Sequence, residues 1–130
     1  MNVTLQNLTK TFPGQGKDKT PVTAVGNFNL QIPDGQLVAL LGPSGCGKST
    51  TLNLLCGLLN PTAGKIFFGE EDVTDLPAQH RGVGMVFQNY ALYPHLTVEQ
   101  NIRFPLENLK GKDKLTKAQM AEMALETAKL

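Results

Sequence analysis

Residues Gly42-Pro-Ser-Gly-Cys-Gly-Lys-Ser-Thr50 decide the fold of this chain. They fit the pattern Gly-x-x-x-x-Gly-Lys-Ser, in which a glycine-rich backbone brings its N–H groups close to an anion. The pattern assigns the β- and γ-phosphates of a nucleotide to Lys48 and a Mg²⁺ ligand to the Ser49 hydroxyl. The other loop residues are predicted to line the phosphates: Gly42, Pro43, Ser44, Gly45, Cys46, Gly47 and Thr50.

The sequence on either side of this loop supplies the context that the pattern needs. Leu37–Leu41 is a continuous apolar run that predicts a buried strand, and residues Ser49–Leu59 predict a helix. The N-terminus of that helix would face the phosphates and add its own N–H groups to the site. A strand, a glycine-rich loop and a helix in this order indicate a phosphate cradle rather than a simple turn.

Composition indicates one globular domain. The chain has 130 residues, of which 41% are hydrophobic, and its formal net charge of +1 gives no sign of a nucleic-acid-binding face. Lysines gather at positions 110, 112, 114 and 117, where we expect a solvated loop. The absence of a long apolar run and of a secretory pattern predicts a cytosolic protein without a disulfide between Cys46 and Cys56.

The first 35 residues predict an antiparallel β layer. Val3–Leu8, Val22–Val25 and Phe28–Ile32 are the expected strands, with a loop or hairpin tip at Gly14–Pro21 and a turn at Pro33–Gly35. Val25 is assigned to the nucleotide site together with the loop residues.

The second half mixes short strands and helices. Strands are expected at Lys65–Phe68 and Gly84–Gln88, and helices at Val98–Phe104 and from Thr116 to the last residue. Because ligands of α/β sheets bind beyond the carboxyl ends of the strands, we expect Gln88 to lie near the phosphate loop.

Three stretches together resemble the nucleotide-binding subunits of ABC transporters, most closely those of sugar and related solute importers. They are Gly42–Thr50, Gly57-Leu-Leu-Asn-Pro-Thr-Ala-Gly64 and Val86-Phe-Gln-Asn-Tyr-Ala-Leu-Tyr-Pro-His-Leu-Thr-Val98. The resemblance implies an α/β fold: a P-loop NTPase core of parallel strands and helices with an N-terminal antiparallel β layer, incomplete at the C-terminus. Residues 1–130 would form the N-terminal part of one nucleotide-binding domain.

The resemblance also implies roles for particular residues. Gln88 would be the glutamine that reaches Mg²⁺ and the attacking water, making Lys48 and Gln88 the catalytic pair, and Ser49 and Gln88 the metal ligands. Tyr90–His95 would lie where transmembrane permease subunits dock. Phe12 would stack on adenine. The residues alone leave an alternative open for each of these two side chains. Gln88 would then cap the end of a strand, and Phe12 would be a packing residue of the β layer.

Other family elements are missing from these residues. A catalytic Asp-Glu pair after an apolar run, a Leu-Ser-Gly-Gly-Gln signature and a switch histidine are absent, and Asp72 and Asp75 lie in polar turns. Full-length family members pair head to tail and clamp ATP between two subunits. We therefore predict a cytoplasmic ATPase subunit, peripheral on the inner face of the membrane, that couples MgATP to the import of a solute such as a sugar. The 130-residue chain alone should bind MgATP weakly and hydrolyse it negligibly. The alternatives are a non-transport ABC ATPase acting on nucleic acid or ribosomes, and a binding-only fragment.

Overall fold

The computed structural model describes residues 1–15, 19–107 and 116–128. The middle of the predicted Gly14–Pro21 loop and the predicted lysine-rich loop at 110–114 lie outside the described residues. The chain divides into two units, Met1–Met85 and Val86–Leu130.

The first unit is built on one antiparallel sheet. Its strands are β1 (Val3–Phe12), β2 (Val22–Ile32), β3 (Ala63–Phe68) and β4 (Glu71–Asp72), in the order β2-β1-β3-β4. β1 is central: Val3 pairs with Ile32 of β2 on one side and with Phe68 of β3 on the other. The predicted antiparallel β layer is confirmed, and β3 and β4 extend it.

One continuous strand replaces the two that were predicted between Val22 and Ile32. The interruption at Asn27 is a bulge, because Asn27 has φ 47° and Asn7, on the neighbouring strand, has φ 49°. Asparagine tolerates this left-handed conformation better than most residues. The side chain of Asn29 holds the bulge, since its Oδ1 accepts the Asn7 N–H at 2.8 Å and its Nδ2 donates to Asn7 Oδ1 at 3.1 Å.

The core of this unit lies between the sheet and helix α1 (Lys48–Leu55). Leu5 and Ile66 are register partners on β1 and β3, and both are fully buried with Leu54 of α1. α1 begins one residue before the predicted Ser49 and ends four residues before the predicted Leu59. Gly57 stops it with φ 75°, a left-handed conformation that favours glycine after a helix.

Two segments predicted as buried strands are not strands. Leu37–Leu41 and Gly84–Gln88 pair with no strand among the described residues. Most of their apolar side chains are exposed instead: Leu37 is 99% exposed and Val86 is 85% exposed, while Leu40 and Met85 are half-buried. A strand is defined by hydrogen bonds to a neighbour, so an apolar sequence alone cannot form one. Those two predictions were wrong for the described part of the chain.

The second unit contains helices α2 (Val98–Glu107) and α3 (Lys117–Ala128), which pack together. Both begin at a Thr-x-x-Gln capping box. At α3, Thr116 Oγ1 accepts the Gln119 N–H at 3.3 Å and Gln119 Oε1 accepts the Thr116 N–H at 2.9 Å, as predicted. Thr97 and Gln100 form the same arrangement at α2. None of the helices in the described ranges combines the length and apolar character needed to span a bilayer.

Candidate nucleotide-binding site

The glycine-rich loop turns by using backbone conformations open to glycine. Gly45 has φ 79° and Gly47 has φ 93°, and the Cys46 N–H donates to Pro43 O at 3.3 Å across the turn. Gly47 also packs directly on β2, because a Cβ added there would lie 2.4 Å from Ala24 O. A side chain at Gly47 would therefore push the loop away from the sheet.

The first turn of α1 is open to an anion. Gly47 is its N-cap and supplies no side-chain hydrogen bond, and no acidic residue lies in the first turn. Thr51, which is buried, bonds through its hydroxyl to Gly47 O at 2.9 Å. The N–H groups at the start of a helix lack partners within it and carry the positive end of the helix dipole. This geometry fits a phosphate group.

Lys48 places its ammonium group over the same loop. Its Nζ donates to Gly42 O and to Pro43 O, the latter at 2.8 Å, and lies 3.3 Å from Cys46 Sγ. An ammonium has three donors and no acceptor, so an arriving phosphate oxygen can replace these loop carbonyls as its partner. The charge is thus already held at the loop before any ligand binds.

Most of the remaining loop residues are exposed to solvent, so a nucleotide can reach them. Ser49 lies in the first turn of α1 with an exposed side chain, and Pro43, Ser44, Gly45 and Cys46 are exposed around the turn, whereas Thr50 is half-buried. A hydroxyl oxygen suits Mg²⁺ when phosphate oxygens and water complete the coordination. Within the described residues, no group of three or more His, Cys, Asp or Glu side chains is placed to bind a metal without such a ligand.

Two other predicted nucleotide contacts have structural roles. Val25 is 7% exposed and belongs to the hydrophobic core beneath Gly47. Phe12 is half-buried at the end of β1, and the Lys10 ammonium lies 5.2 Å from its ring centroid. An adenine base stacked on Phe12 would therefore bind to a ring that already makes a cation–π contact with Lys10. Both nucleotide contacts stay predictions.

Asp72 is engaged in the sheet. Its carboxylate accepts bonds from Lys65 Nζ at 2.8 Å and from Thr74 Oγ1 at 2.6 Å. The hydrogen bond from Lys65 and those from Thr74 lower the pKa of Asp72 to about 2. This carboxylate therefore stabilises the β3–β4 hairpin, and Asp72 lies in strand β4 rather than in the predicted polar turn.

Arg81 is a buried residue that the sequence did not single out. It is 5% exposed, and its guanidinium donates to four carbonyl oxygens: Leu54 O at 2.8 Å, Leu55 O at 3.1 Å, Leu76 O at 2.7 Å and Thr74 O at 2.9 Å. Burial lowers the pKa of Arg81, although an arginine stays protonated in proteins. Two of its acceptors are the last carbonyls of α1, so Arg81 caps the C-terminus of the helix that follows the phosphate loop. An arginine between a turn and a glycine gives no sequence signal for such burial.

In the second unit, Gln88 is exposed, and the following loop presents apolar side chains. Tyr90 is 74% exposed and Leu92 is 67% exposed. Tyr90 and Ala91 also hold positive φ angles of 60° and 48°, a conformation that costs energy for residues with a Cβ. Gln88 lies in the second unit and the phosphate loop in the first, so their expected proximity stays a prediction.

The side-chain amide of Asn101 holds the loop that precedes α2 through hydrogen bonds to its backbone. Asn101 Oδ1 accepts the Tyr93 N–H at 2.9 Å, and Asn101 Nδ2 donates to carbonyls that include Thr97 O at 2.9 Å. The Tyr93 ring packs on Phe104 with centroids 4.8 Å apart. Beside it lies an open apolar cavity of about 350 Å³. It is lined by Leu92, Tyr93, Pro94, Leu96, Val98, Asn101 and Ile102.

Comparison with known proteins places this geometry in a family. Residues 25–130 match the family model described as ABC transporter. The chain also superposes on the dimeric structure of a post-hydrolysis state of the ATP-binding cassette MJ0796 bound to ADP and Pi, with a TM-score of 0.84 and 35% identity over 98% of this chain and 56% of that chain. The glycine-rich loop, α1 and the antiparallel layer define a P-loop NTPase fold. The chain belongs to the ABC transporter family.

Curated relatives are longer than this chain. The Fe(3+) ions import ATP-binding protein FbpC of Photorhabdus laumondii is 46% identical over 98% of this chain and 34% of its own length. FbpC of Brucella abortus is 51% identical over 82% of this chain and 28% of its own length. The sulfate/thiosulfate import ATP-binding protein CysA 2 of Agrobacterium fabrum is 46% identical over 86% of this chain and 31% of its own length. The chain thus spans about a third of these relatives.

A pair of glycine substitutions separates backbone strain from steric contact in the loop. Alanine in a left-handed conformation costs roughly 1–2 kcal/mol, so Gly45→Ala and Gly47→Ala should both lower the free energy of unfolding. Gly47→Ala should lower it further, because its Cβ would overlap Ala24 O at 2.4 Å whereas a Cβ at Gly45 meets no atom within 4 Å. Urea unfolding of both variants measures the difference. Equal losses would show that Gly47 does not pack on β2 in solution.

The two cysteines provide an internal comparison for ligand access. Cys46 is exposed in the loop and Cys56 is half-buried, with burial raising the pKa of the Cys56 thiol. We expect an alkylating reagent to label Cys46 first and MgATP to slow that labelling, while labelling of Cys56 stays unaffected. Mass spectrometry of the labelled peptides measures both rates. Equal rates at Cys46 with and without MgATP would place it outside the nucleotide site.

Proposed function

We propose that this chain is the phosphate-binding part of an ABC-type ATPase subunit that couples MgATP to solute import. The observation that carries the proposal is the open first turn of α1, where uncapped N–H groups and the Lys48 ammonium meet at one glycine-rich loop. Both groups offer donors and positive charge without an acidic neighbour in that turn. They suit the β- and γ-phosphates of ATP.

Mg²⁺ and Gln88 complete the proposed chemistry. The ion, when bound with the nucleotide, neutralises charge on the transferring phosphoryl group. Ser49 is the residue of the loop that would hold it, and Gln88 would orient the attacking water. Lys48 would hold the β- and γ-phosphates in position. The FbpC and CysA relatives are import ATP-binding proteins by name, which supports an ATPase role for the whole protein.

The proposed partners are permease subunits and a second nucleotide-binding subunit. The exposed apolar surface at Tyr90–His95, with the adjoining cavity, suits an apolar segment of a membrane subunit, because contiguous exposed apolar patches mark interaction sites. The MJ0796 cassette is dimeric in its solved structures, which supports pairing with a second subunit here. The proposed arrangement of the pair is head to tail. Such a subunit would lie in the cytoplasm against the inner face of the membrane.

The solute proposed from the relatives differs from the one suggested by the sequence. Fe(3+) and sulfate or thiosulfate are the cargoes that the relatives are named for, so an inorganic ion replaces the predicted sugar in the proposal. None of the described residues selects between these ions.

Nucleotide titrations test the ATP assignment. We expect MgATP and MgADP to bind the chain, and adenosine to bind about tenfold more weakly or worse, since the loop recognises phosphate. Isothermal titration calorimetry measures all three affinities, and phosphate release from the same samples should be negligible. Adenosine binding as tightly as MgATP would refute phosphate recognition at this loop.

The partner assignment needs a separate experiment. Leu92→Glu should abolish co-purification with the transmembrane subunits of a matching importer, because it places a charge on the apolar surface at Tyr90–His95. Leu125→Glu on α3 is the matched control, since Leu92 and Leu125 are 67% and 60% exposed. Equal co-purification of both variants would remove Tyr90–His95 as the docking surface.

A further inference from the structure

Arg81 is the most completely bonded buried charge among the described residues. Its Nε, Nη1 and Nη2 atoms together donate to four main-chain carbonyls, and no salt bridge within the described ranges joins it to a carboxylate. An arginine held only by carbonyls fixes backbone segments relative to one another. The segments are the end of α1 and the turn at Thr74–Leu76.

α1 connects this group to the phosphate loop. The helix begins at Lys48 and ends at Leu55, so its eight residues span about 12 Å. Leu54 and Leu55, at its far end, are the residues whose carbonyls Arg81 holds. Contact is close there, since a Cβ added at Gly57 would lie 2.7 Å from Arg81 Nε. A rigid-body displacement of α1 therefore displaces Arg81 as well, or breaks its bonds.

Arg81 also begins the segment that leads to Gln88. Gly82 follows with φ 65°, and residues 83–87 pair with no strand in the described part of the chain. Val83 is 37% exposed and Val86 is 85% exposed, so packing holds this segment weakly. The segment is fixed at its N-terminal end by the four hydrogen bonds of Arg81.

We infer that Arg81 is a positioning residue that transmits nucleotide binding from the phosphate loop, through α1, to the segment 82–88 that carries Gln88. This inference rests on the proposed function. In this role Arg81 makes no contact with the nucleotide. Its side chain acts through the C-terminal carbonyls of α1 and through the chain that follows it.

Hydrogen exchange of the 130-residue chain tests the inference. In the wild type, saturating MgATP should slow exchange of amides 82–88 by about threefold or more. Arg81→Lys keeps the charge but its single ammonium cannot reach four carbonyls, so it should bind MgATP within about threefold of wild type and lose the change at 82–88. Ile66→Val, in the sheet core, is the control for lost stability and should retain the change.

A second variant leaves Arg81 untouched. Insertion of two glycines between Gly82 and Val83 should preserve the Arg81 bonds and nucleotide affinity, yet abolish the response of residues 83–88. This variant decides the matter if Arg81→Lys does not fold. Two results would overturn the inference and leave the proposed function intact. One is MgATP binding to the wild type without any change in exchange at 82–88. The other is a wild-type exchange response in either Arg81→Lys or the insertion variant. Loss of the response in Ile66→Val also overturns it. Failure of the wild type to bind MgATP overturns the proposed function and this inference with it.

Discussion

Replacing Lys48 with alanine should abolish measurable binding of MgATP, an expected loss of about 100-fold or more in affinity. The ammonium lies over the loop, bonded to Gly42 O and Pro43 O, and nothing else in the first turn of α1 supplies a full positive charge to a phosphate. Hydrogen bonds to charged groups contribute roughly 1.5–3 kcal/mol each, and Lys48 can make more than one.

Calorimetric titration with MgATP measures this loss. Lys65→Ala is the control, because Lys65 is a lysine of the same unit that pairs with Asp72 in the sheet. It should leave the affinity unchanged. Since the Lys48 bonds are made to exposed loop carbonyls, Lys48→Ala should unfold at nearly the wild-type urea concentration. Unchanged ATP affinity in Lys48→Ala would count against the whole account.

The second large effect is expected at Arg81. Arg81→Met retains much of the side-chain volume but removes every donor, and it leaves the carbonyls of Leu54, Leu55, Leu76 and Thr74 without that partner. Hydrogen bonds from a charged donor contribute roughly 1.5–3 kcal/mol each. Part of this loss is recovered, because three of the carbonyls are only partly buried and can bind water, and Leu54 O keeps the Gly57 N–H at 3.2 Å. We expect the free energy of unfolding of the first unit to fall by about 3–5 kcal/mol.

Urea unfolding followed by circular dichroism measures this change, with Arg103→Met as the matched control. Arg103 lies on α2 and pairs with Glu99 and Glu107 at 3.0 and 3.4 Å, both exposed carboxylates. Such helix pairs contribute roughly 0.3–0.5 kcal/mol each. A similar loss in both variants would mean that the carbonyl cage around Arg81 is not maintained in solution.

The parts of the fold that local pattern determines were predictable. Alternation along β1, the turn after Ile32 and the Thr116 capping box each depend on residues close together in sequence, and the structure has all three. On β2, Phe28, Leu30 and Ile32 are half-buried on one face as the alternation predicts. The Thr97 capping box at the start of α2 carries the same Thr-x-x-Gln signal.

Features set by distant residues were not predictable. Leu37–Leu41 has the composition of a buried strand, but strand formation needs a hydrogen-bonding neighbour, and none of the described residues supplies one. The end of α1 depends on Gly57 and on Arg81, which lies 26 residues beyond Leu55. No periodicity within the helix reports a partner so far along the chain.

The candidate site also has features that local sequence predicts and features that depend on distant residues. The loop pattern identified Lys48, Ser49 and the glycines because their roles follow from local backbone geometry. The pattern did not show that Gly47 packs on Ala24 or that Lys48 rests on loop carbonyls. The role of Gln88 depends on how distant segments assemble, and it remains a proposal.

The most direct test is a nuclear magnetic resonance titration of the ¹⁵N-labelled chain with MgATP and, separately, with adenosine. Binding of phosphate by the open first turn of α1 predicts that MgATP shifts the backbone amide signals of Gly45, Gly47, Lys48 and Ser49 more than any others, and that adenosine leaves them in place. Saturation with MgATP that leaves these four amides unmoved would contradict the assignment of Gly42–Thr50 as the phosphate site.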